Sequence, residues 1–297
     1  MNKIYGFGNA LIDIEIKVSE EQLSEIKIEK GSMRHISKED LDYFLKEFAD
    51  KTLSTKAGGS IANSLYAANK HNISTHFSCS LGDDKYGKLF LDSFDIRFCS
   101  VSFNKSDKPT GVCLIFITPD GERTMAAHLG ANLDMDSKCL DEENLTSSEF
   151  LLFDNFSLSN TGGYITLEDA VSTKPSLKIC FGISDSSLVR ENQKQIMNIF
   201  KNKIDILFGN EREVKTFTDE LNVKPINILT TLGEMGAKYN HLMIEATQTR
   251  VVNTNGAGDA LIGSFLANIG SVEESEALER AVKYASEVCS TNGPRLP

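Results

Sequence analysis

No segment of this 297-residue chain approaches the ~18 consecutive apolar residues that suggest a membrane-spanning helix. The N-terminus runs straight into Ile4-Tyr5-Gly6-Phe7-Gly8-Asn9, without the basic and apolar regions of a secretory leader. Basic residues are in deficit: 31 Lys and Arg against 42 Asp and Glu give a formal net charge of -11, the wrong sign for gripping a nucleic-acid backbone. Cys79, Cys99, Cys113, Cys139, Cys180 and Cys289 form no C-x-x-C pair and no zinc-type spacing, so they read as reduced thiols. These absences predict a soluble, unprocessed cytoplasmic chain with neither membrane nor nucleic acid as partner. Any phosphate site in so acidic a protein must be made locally positive by backbone amides, a helix end, one or two basic side chains and a cation.

Familiar catalytic signatures are missing too. Neither G-x-x-x-x-G-K-[ST] nor G-x-S-x-G occurs, and Leu11 stands where the third glycine of a dinucleotide fingerprint would follow Gly6-Phe7-Gly8, which excludes a Walker-type reading and leaves the hydrolase and Rossmann ones weak. No internal repeat or low-complexity linker divides the chain, and 40% hydrophobic residues suffice for one core.

What is present is alternation. Strand-like and helix-like segments take turns: Thr75 to Leu81 then Tyr86 to Phe94, Phe150 to Phe156 then Leu167 to Val171, Leu177 to Gly182 then Ser187 to Phe200. Ile204 to Phe208 precedes Glu211 to Phe217, and Ile226 to Leu232 precedes helices at Asp259 and at Glu273 to Val288. Such alternation predicts a mostly parallel sheet with helices on both faces and ligands at the carboxyl ends of its strands. Two stretches break the rhythm. Ile12, Ile14 and Ile16 alternate with Asp13, Glu15 and Lys17, and Gly111–Ile117 and Arg123–His128 flank Pro119-Asp120-Gly121, a hairpin signal. They predict a small β-sheet lid inserted in a single domain over 1–297, its segments near 13–36 and 100–130. Its exposed edge leaves monomer and homodimer both open.

The stretch Val251-Val252-Asn253-Thr254-Asn255-Gly256-Ala257-Gly258-Asp259 reads as a strand end, a two-glycine turn and a helix start. Unpaired amides and the helix dipole make this junction suited to an anion, and the Gly256, Ala257 and Gly258 amides can form a nest for phosphate oxygens. Asp259 is either a dipole-compensating carboxylate or a general base beside that anion hole. A second glycine turn, Ala57-Gly58-Gly59-Ser60, opens a helix carrying Asn63. Asp13, Asn9, Gly58, Gly59 and Asn63 together suit a vicinal diol: Asp accepts two hydroxyls, Asn orients, and glycine allows close approach. Each residue also has an ordinary role, as wet-face strand residue, surface helix residue or cap. Asn210 and Glu213, one turn apart, could hold the water shell of Mg²⁺, and Arg123 could reach a transferring phosphoryl.

These residues resemble the PfkB carbohydrate kinase family, whose ribokinase-like fold also contains adenosine kinases and bacterial inosine-guanosine kinases. Its carboxyl-side motif D-T-x-G-A-G-D is similar to Asn253 through Asp259, with Asn253 for Asp. Its glycine motif is similar to Ala57 through Asn63 followed by Leu81-Gly82-Asp83-Asp84-Lys85-Tyr86-Gly87, its N-x-x-E to Asn210 through Glu213, and T-x-G-x-x-G to Thr231 through Gly236. Gly8 through Asp13 and Gly31-Ser32-Met33 resemble the adenosine-kinase branch; Gly121-Glu122-Arg123-Thr124, Asn253 through Gly256 and Pro294-Arg295-Leu296 look closest to inosine-guanosine kinases. The resemblance implies ATP and Mg²⁺, with a monovalent cation left open by Asn253, and a purine nucleoside phosphorylated at its 5′-hydroxyl. Asp259 would be the base, Gly256 to Gly258 the anion hole, and Asn210, Thr231, Gly233, Gly236 and Asn255 the ATP side, with Glu213 reaching the metal through water. A free sugar (ribose, fructose or a sugar acid) is the alternative substrate, and a non-catalytic nucleoside sensor the second alternative. A nucleoside needs an apolar slot for its base, for which Phe116 and Met125 are candidates.

Overall fold

A computed structural model describes residues 3–200, 204–221 and 225–296. Among them fourteen strands form two sheets. They are β1 (Ile4–Phe7), β2 (Leu11–Lys17), β3 (Met33–His35), β4 (Thr52–Gly58), β5 (Thr75–Gly82), β6 (Cys99–Ser106) and β7 (Gly111–Ile117). Then follow β8 (Arg123–His128), β9 (Phe150–Asp154), β10 (Lys178–Gly182), β11 (Ile206–Asn210), β12 (Asn227–Thr231), β13 (Ala237–Tyr239) and β14 (Leu242–Ile244). The large sheet runs β14-β13-β12-β11-β10-β9-β1-β5-β6 and the small one β3-β8-β7-β2-β4. From β6 to β12 every pairing in the large sheet is parallel; β13 and β14 close its edge antiparallel. No helix of the described residues is long and apolar enough to cross a membrane.

The parallel strands are apolar on both faces, as a sheet covered twice must be. Ile4, Phe77, Phe150 and Phe208 point to a core shared with Leu65, Phe90 and Phe265 of the helices Ser60–Asn69, Lys85–Asp92 and Ala257–Asn268. Tyr5, Leu151, Phe181 and Leu207 point the other way, to Leu167, Ile196 and Phe217 of the helices Thr161–Thr173, Gln193–Phe200 and Glu211–Leu221. Gly6 and Gly8 serve this packing. A Cβ on Gly6 would lie 2.6 Å from Leu65 Cδ1, and one on Gly8 2.9 Å from Ile61 Cγ1, so the glycines let a helix approach the strand.

The small sheet departs from expectation in three ways. The opening apolar stretch is two strands in two sheets, β1 in the large and β2 in the small. β4 lies beside β2 in the small sheet, where no strand was predicted. β6, inside the expected lid segment 100–130, pairs with β5 in the large sheet, so the second inserted stretch begins at β7. The β7–β8 hairpin is antiparallel, Val112 to Ile117 against Arg123 to His128, as the Pro-Asp-Gly turn dictates.

Alternation along these strands sorts their faces. Ile12, Ile14, Ile16, Leu114 and Phe116 join the main core, and Phe116 meets the rings of Phe44 and Phe48 edge-on. Leu11, Asp13 and Glu15 share the other face with Cys113, Ile115 and Ala127, an apolar patch continued by Met33, Ile117 and Met125.

Candidate active site

One glycine turn ends β4 and enters the helix Ser60–Asn69; the other enters the helix Ala257–Asn268 from a stretch with no strand in it, although Val251-Val252 read as a strand end. At the first, the backbone has no room for side chains. A Cβ on Gly58 would lie 2.3 Å from the Asp13 carboxyl atoms, and one on Gly59, whose φ is +91°, 2.5 Å from the Asn9 carbonyl oxygen. Glycine therefore brings Asp13, Asn9 and the start of the Ser60 helix into contact. Ser60 Oγ donates to Asp259 Oδ1 at 2.5 Å, and Asn63 Nδ2 donates to Asp259 Oδ2 at 3.0 Å. The two carboxylates, 246 residues apart in sequence by their numbers, thus flank one three-residue turn, Asp13 against Gly58 and Asp259 against Ser60.

Electrostatics set these groups apart from surface acids. Burial raises Asp13 from 3.8 to about 7, opposed by the Arg295 guanidinium and assisted by Asp259 and Glu15. Burial also raises Asp259, opposed by the bonds from Ser60 and Asn63 and by Arg295. A third carboxylate, Asp154 at the end of β9, is raised to about 6 by burial although Ser157 bonds it through both its amide and hydroxyl; Asp259 adds to the rise. Among the described residues no side chain donates to Asp13, and the buried Asn9 Oδ1 has no partner. These are acceptors aimed at something the protein does not supply.

The second turn borders two cavities. Gly256 caps its helix in the left-handed region, φ +75°, and a Cβ there would lie 2.4 Å from Pro294 Cβ, so only glycine makes the turn. Gly258 has nothing within 4 Å of where a Cβ would stand. Its bare backbone faces a cavity of about 750 Å³ lined also by Thr231, Gly233, Gly236, Thr254 and Ala257. A cavity of about 250 Å³ runs from Asp259, Ser60 and Gly258 to Asn210 and Glu213. Asp13 and Asn9 line neither of the two; they sit on the other side of the Gly58 turn.

Some expected residues are placed differently from their assigned work. Asn210 and Glu213 form a reciprocal cap, each backbone N–H donating to the other's side chain at 2.9 Å, which accounts for N-x-x-E as a helix start. Glu213 Oε1 and Asn210 Nδ2 remain outside that cap. The Asn255 amide is used by Asn253 Oδ1 at 2.7 Å. Arg123 lies on the Asp13 face of the small sheet, but opposite Ile117, four residue pairs along from the Cys113–Ala127 pair that borders Asp13. Four residues of strand place it roughly 13 Å from that row, so it is not gathered with Asp259; its buried Nε has no partner. Phe116, offered as a base-slot residue, faces the core instead, because β7 parity puts Cys113 and Ile115 on the Asp13 face; Met125 is on that face. No group of three or more His, Cys, Asp or Glu among the described residues is arranged to hold a metal ion.

Two residues that the sequence marked only by their motif positions make contacts at the site. Arg295, from the tail, donates to Asn63. Asn253, which stands where the resembling motif has Asp, points Nδ2 at Glu15 Oε1, 3.5 Å away, and Glu15 also accepts from Ser54 Oγ at 2.7 Å. Both residues are under a tenth exposed. An Asp at 253 would face a buried carboxylate, so the departure from the motif is matched across the sheet gap. Asn253→Asp is expected to lower stability by about 1–3 kcal/mol, and Glu15→Gln in that variant to restore most of it. Urea midpoints at neutral pH measure both, and an unchanged midpoint for Asn253→Asp would refute the pairing.

Comparison with known proteins bears on the family and the fold. The family model described as pfkB family carbohydrate kinase matches residues 38–297. The chain is 23% identical to adenosine kinase 2 of Arabidopsis thaliana, covering 96% of this chain and 92% of that one. To the ribokinase of Arabidopsis thaliana it is 23% identical over 83% of this chain and 71% of the other. Its fold is similar to the crystal structure of adenosine kinase from Sinorhizobium meliloti, with a TM-score of 0.89, 21% identity and coverage of 99% and 96% of the two chains.

Proposed function

Because this chain belongs to the pfkB family of carbohydrate kinases, phosphotransferases that act on an alcohol, we propose that it transfers the γ-phosphoryl of ATP to the 5′-hydroxyl of a purine nucleoside. The observation that carries the nucleoside is the face of the small sheet beside Asp13. The unpaired Asp13 carboxylate and Asn9 Oδ1 suit a sugar diol, and directly next to Asp13 the sheet turns apolar with Leu11, Cys113, Ile115, Ala127 and Met125. A flat base gains by burial there; a free sugar, hydroxylated all round, would strand its polar groups against that wall. Free ribose is the second reading, favoured by the similarity to a ribokinase and by an Asp13–Asn9 pair that would hold either diol.

Phosphoryl transfer asks a protein mainly for position and charge. The larger cavity, with Thr231, Gly233 and Gly236 on one wall and the bare Gly258 backbone on another, holds the triphosphate with its end at the helix that begins at Ala257. The amides of Gly256, Ala257 and Gly258 stabilise the charge that develops on the transferring group. Asp13 and Asn9 hold the ribose, turning its 5′-hydroxyl toward Asp259. Asp259, held at both oxygens by Ser60 and Asn63, accepts the hydroxyl proton as the bond to phosphorus forms. Mg²⁺ would supply charge neutralisation at the phosphates, and Glu213 is the residue that would meet it through water. Swinging of the small sheet would exclude water and bring Arg123 nearer the phosphates.

The test is a panel of adenosine, inosine, guanosine, ribose and fructose with ATP and Mg²⁺, scored by phosphorylated product. One purine nucleoside is expected to exceed both sugars by at least ~10²-fold in kcat/KM, the value of a few kcal/mol of base burial. Preference for ribose or fructose over all three nucleosides would overturn the nucleoside assignment, and no product from any of them would leave the sensor reading in its place.

A further inference from the structure

The C-terminal tail is tied to the site at four points. Lys56 of β4 donates to the Asn292 carbonyl at 2.9 Å, and the Tyr66 hydroxyl donates to the Leu296 carbonyl at 2.8 Å. Pro294 packs on the Gly256 turn. Between these ties the Arg295 guanidinium lies over two rings, 5.1 Å from the Tyr66 centroid and 5.3 Å from that of Phe94, a seat that holds a planar cation. Its Nε donates to Asn63 Oδ1 at 2.9 Å and its Nη1 to Ser93 Oγ at 3.0 Å.

Asn63 is the link. Its Oδ1 accepts from Arg295 while its Nδ2 donates to Asp259 Oδ2. Guanidinium only donates and an ionised carboxylate only accepts, so one orientation of the amide satisfies both neighbours and the flipped one satisfies neither. Without the guanidinium only the Asp259 carboxylate selects the orientation with the N–H facing it, and the Asn63 Oδ1 is left without its donor, so the amide is held at one end instead of two. We propose that Arg295 is a positioning residue for phosphoryl transfer, holding the Asn63 amide so that its N–H, and not its carbonyl oxygen, faces Asp259. The inference rests on Asp259 being the base.

Five groups from four elements bear on Asp259: Ser60 and Asn63 of one helix on its bonded side, Arg295 from the tail, and the carboxylates Asp13 of β2 and Asp154 of β9. Losing the amide N–H and the guanidinium charge removes two of the influences that favour ionisation and leaves both like charges. The acid limb of the kcat profile then moves to higher pH.

The full chain is compared as wild type, R295K, R295M, N63A and the N63A/R295M double variant. R295M is expected to lower kcat about 10- to 100-fold, keep the ATP KM within about twofold and shift the acid limb upward; R295K, which keeps a donor and the charge, recovers about half of the loss on a logarithmic scale. At pH above the acid limb, where Asp259 is ionised, R295M in the N63A background changes kcat by less than about twofold, because the amide it acts through is gone. Side-chain amide NMR supplies a readout free of turnover: the Asn63 Nδ2 protons follow the Asp259 titration in the wild type and lose that coupling in R295M. Equal losses from R295M with and without Asn63, an unmoved acid limb, or undiminished NMR coupling would each overturn the proposal and leave Arg295 a packing residue. A wild type that phosphorylates no acceptor removes the kinase reading instead, while the NMR coupling still decides whether Arg295 orients Asn63.

Discussion

Asp259→Asn lowers kcat at least ~10²-fold, the usual worth of a positioned general base, while the KM values for ATP and nucleoside stay within about threefold. Asn is nearly the same size and keeps an acceptor for Ser60, so the pocket and the helix start persist; what is lost is the lone pair that takes the hydroxyl proton as phosphorus is attacked. Such a pattern, kcat falling with binding retained, marks an interaction made in the transition state. A pH profile separates this from a general disturbance. Burial holds the Asp259 carboxyl above the ordinary carboxylate range, and a base works only when deprotonated, so wild-type kcat falls as pH drops through that raised value. In Asp259→Asn the residual rate is flat through the same region. Turnover within a few-fold of wild type, or an acid limb that survives the substitution, takes the base role away from Asp259.

Asp13→Ala acts on the other half of the site, lowering kcat/KM for the nucleoside ~10²- to 10⁴-fold and leaving the KM for ATP nearly unchanged. Two hydroxyls bonded to a charged acceptor are worth about 1.5–3 kcal/mol each, together about 3–6 kcal/mol, and every 1.4 kcal/mol is a factor of ten. Calorimetric titration with nucleoside reads the loss directly; an unchanged Kd would place the sugar elsewhere. Since Asp13 titrates at about 7, wild-type nucleoside affinity rises through that pH as the carboxylate becomes the better acceptor, and the dependence vanishes in the variant. The same shift acts on stability. With the folded value at about 7 and the ordinary one at 3.8, the folded chain binds more protons than the unfolded one between them. This group therefore lowers stability as pH climbs from about 4 to about 7, and Asp13→Ala flattens that part of the melting-temperature profile.

Legibility divides along sequence distance. The β7–β8 hairpin was readable because turn chemistry and a two-residue period are local. So was the alternation that predicts a parallel sheet. At the site, glycine pairs announced both turns, since few other residues tolerate such backbone approach, and Asp13 and Asn63 stood near one of them. Face assignment was less secure. Alternation in β7 shows that Phe116 and Ile115 point opposite ways, but not which way the cleft lies, and Phe116 turned to the core because Phe44 and Phe48 fill that side. Strand membership of β6 and the break between β1 and β2 were likewise undecided, as either sheet could satisfy their edges.

What no local pattern could supply is the set of long-range pairings. Arg295 meets Asn63 across 232 residues and Asn253 meets Glu15 across 238. Each of the four residues reads, in its own stretch, as an ordinary polar residue of a tail, a helix, a loop or a strand. The order of residues by itself determined a parallel α/β chain with two glycine turns and an acid after one of them, because periodicity, turn chemistry and helix starts are set by neighbours a few positions apart. Only the tertiary structure decided that Asp13 and Asp259 flank the same turn, that Asn63 is oriented by the tail, and that Asn253 answers Glu15. Those relations come from packing strand ends from two sheets around one point, where burial and charge are shared by residues the chain itself keeps far apart.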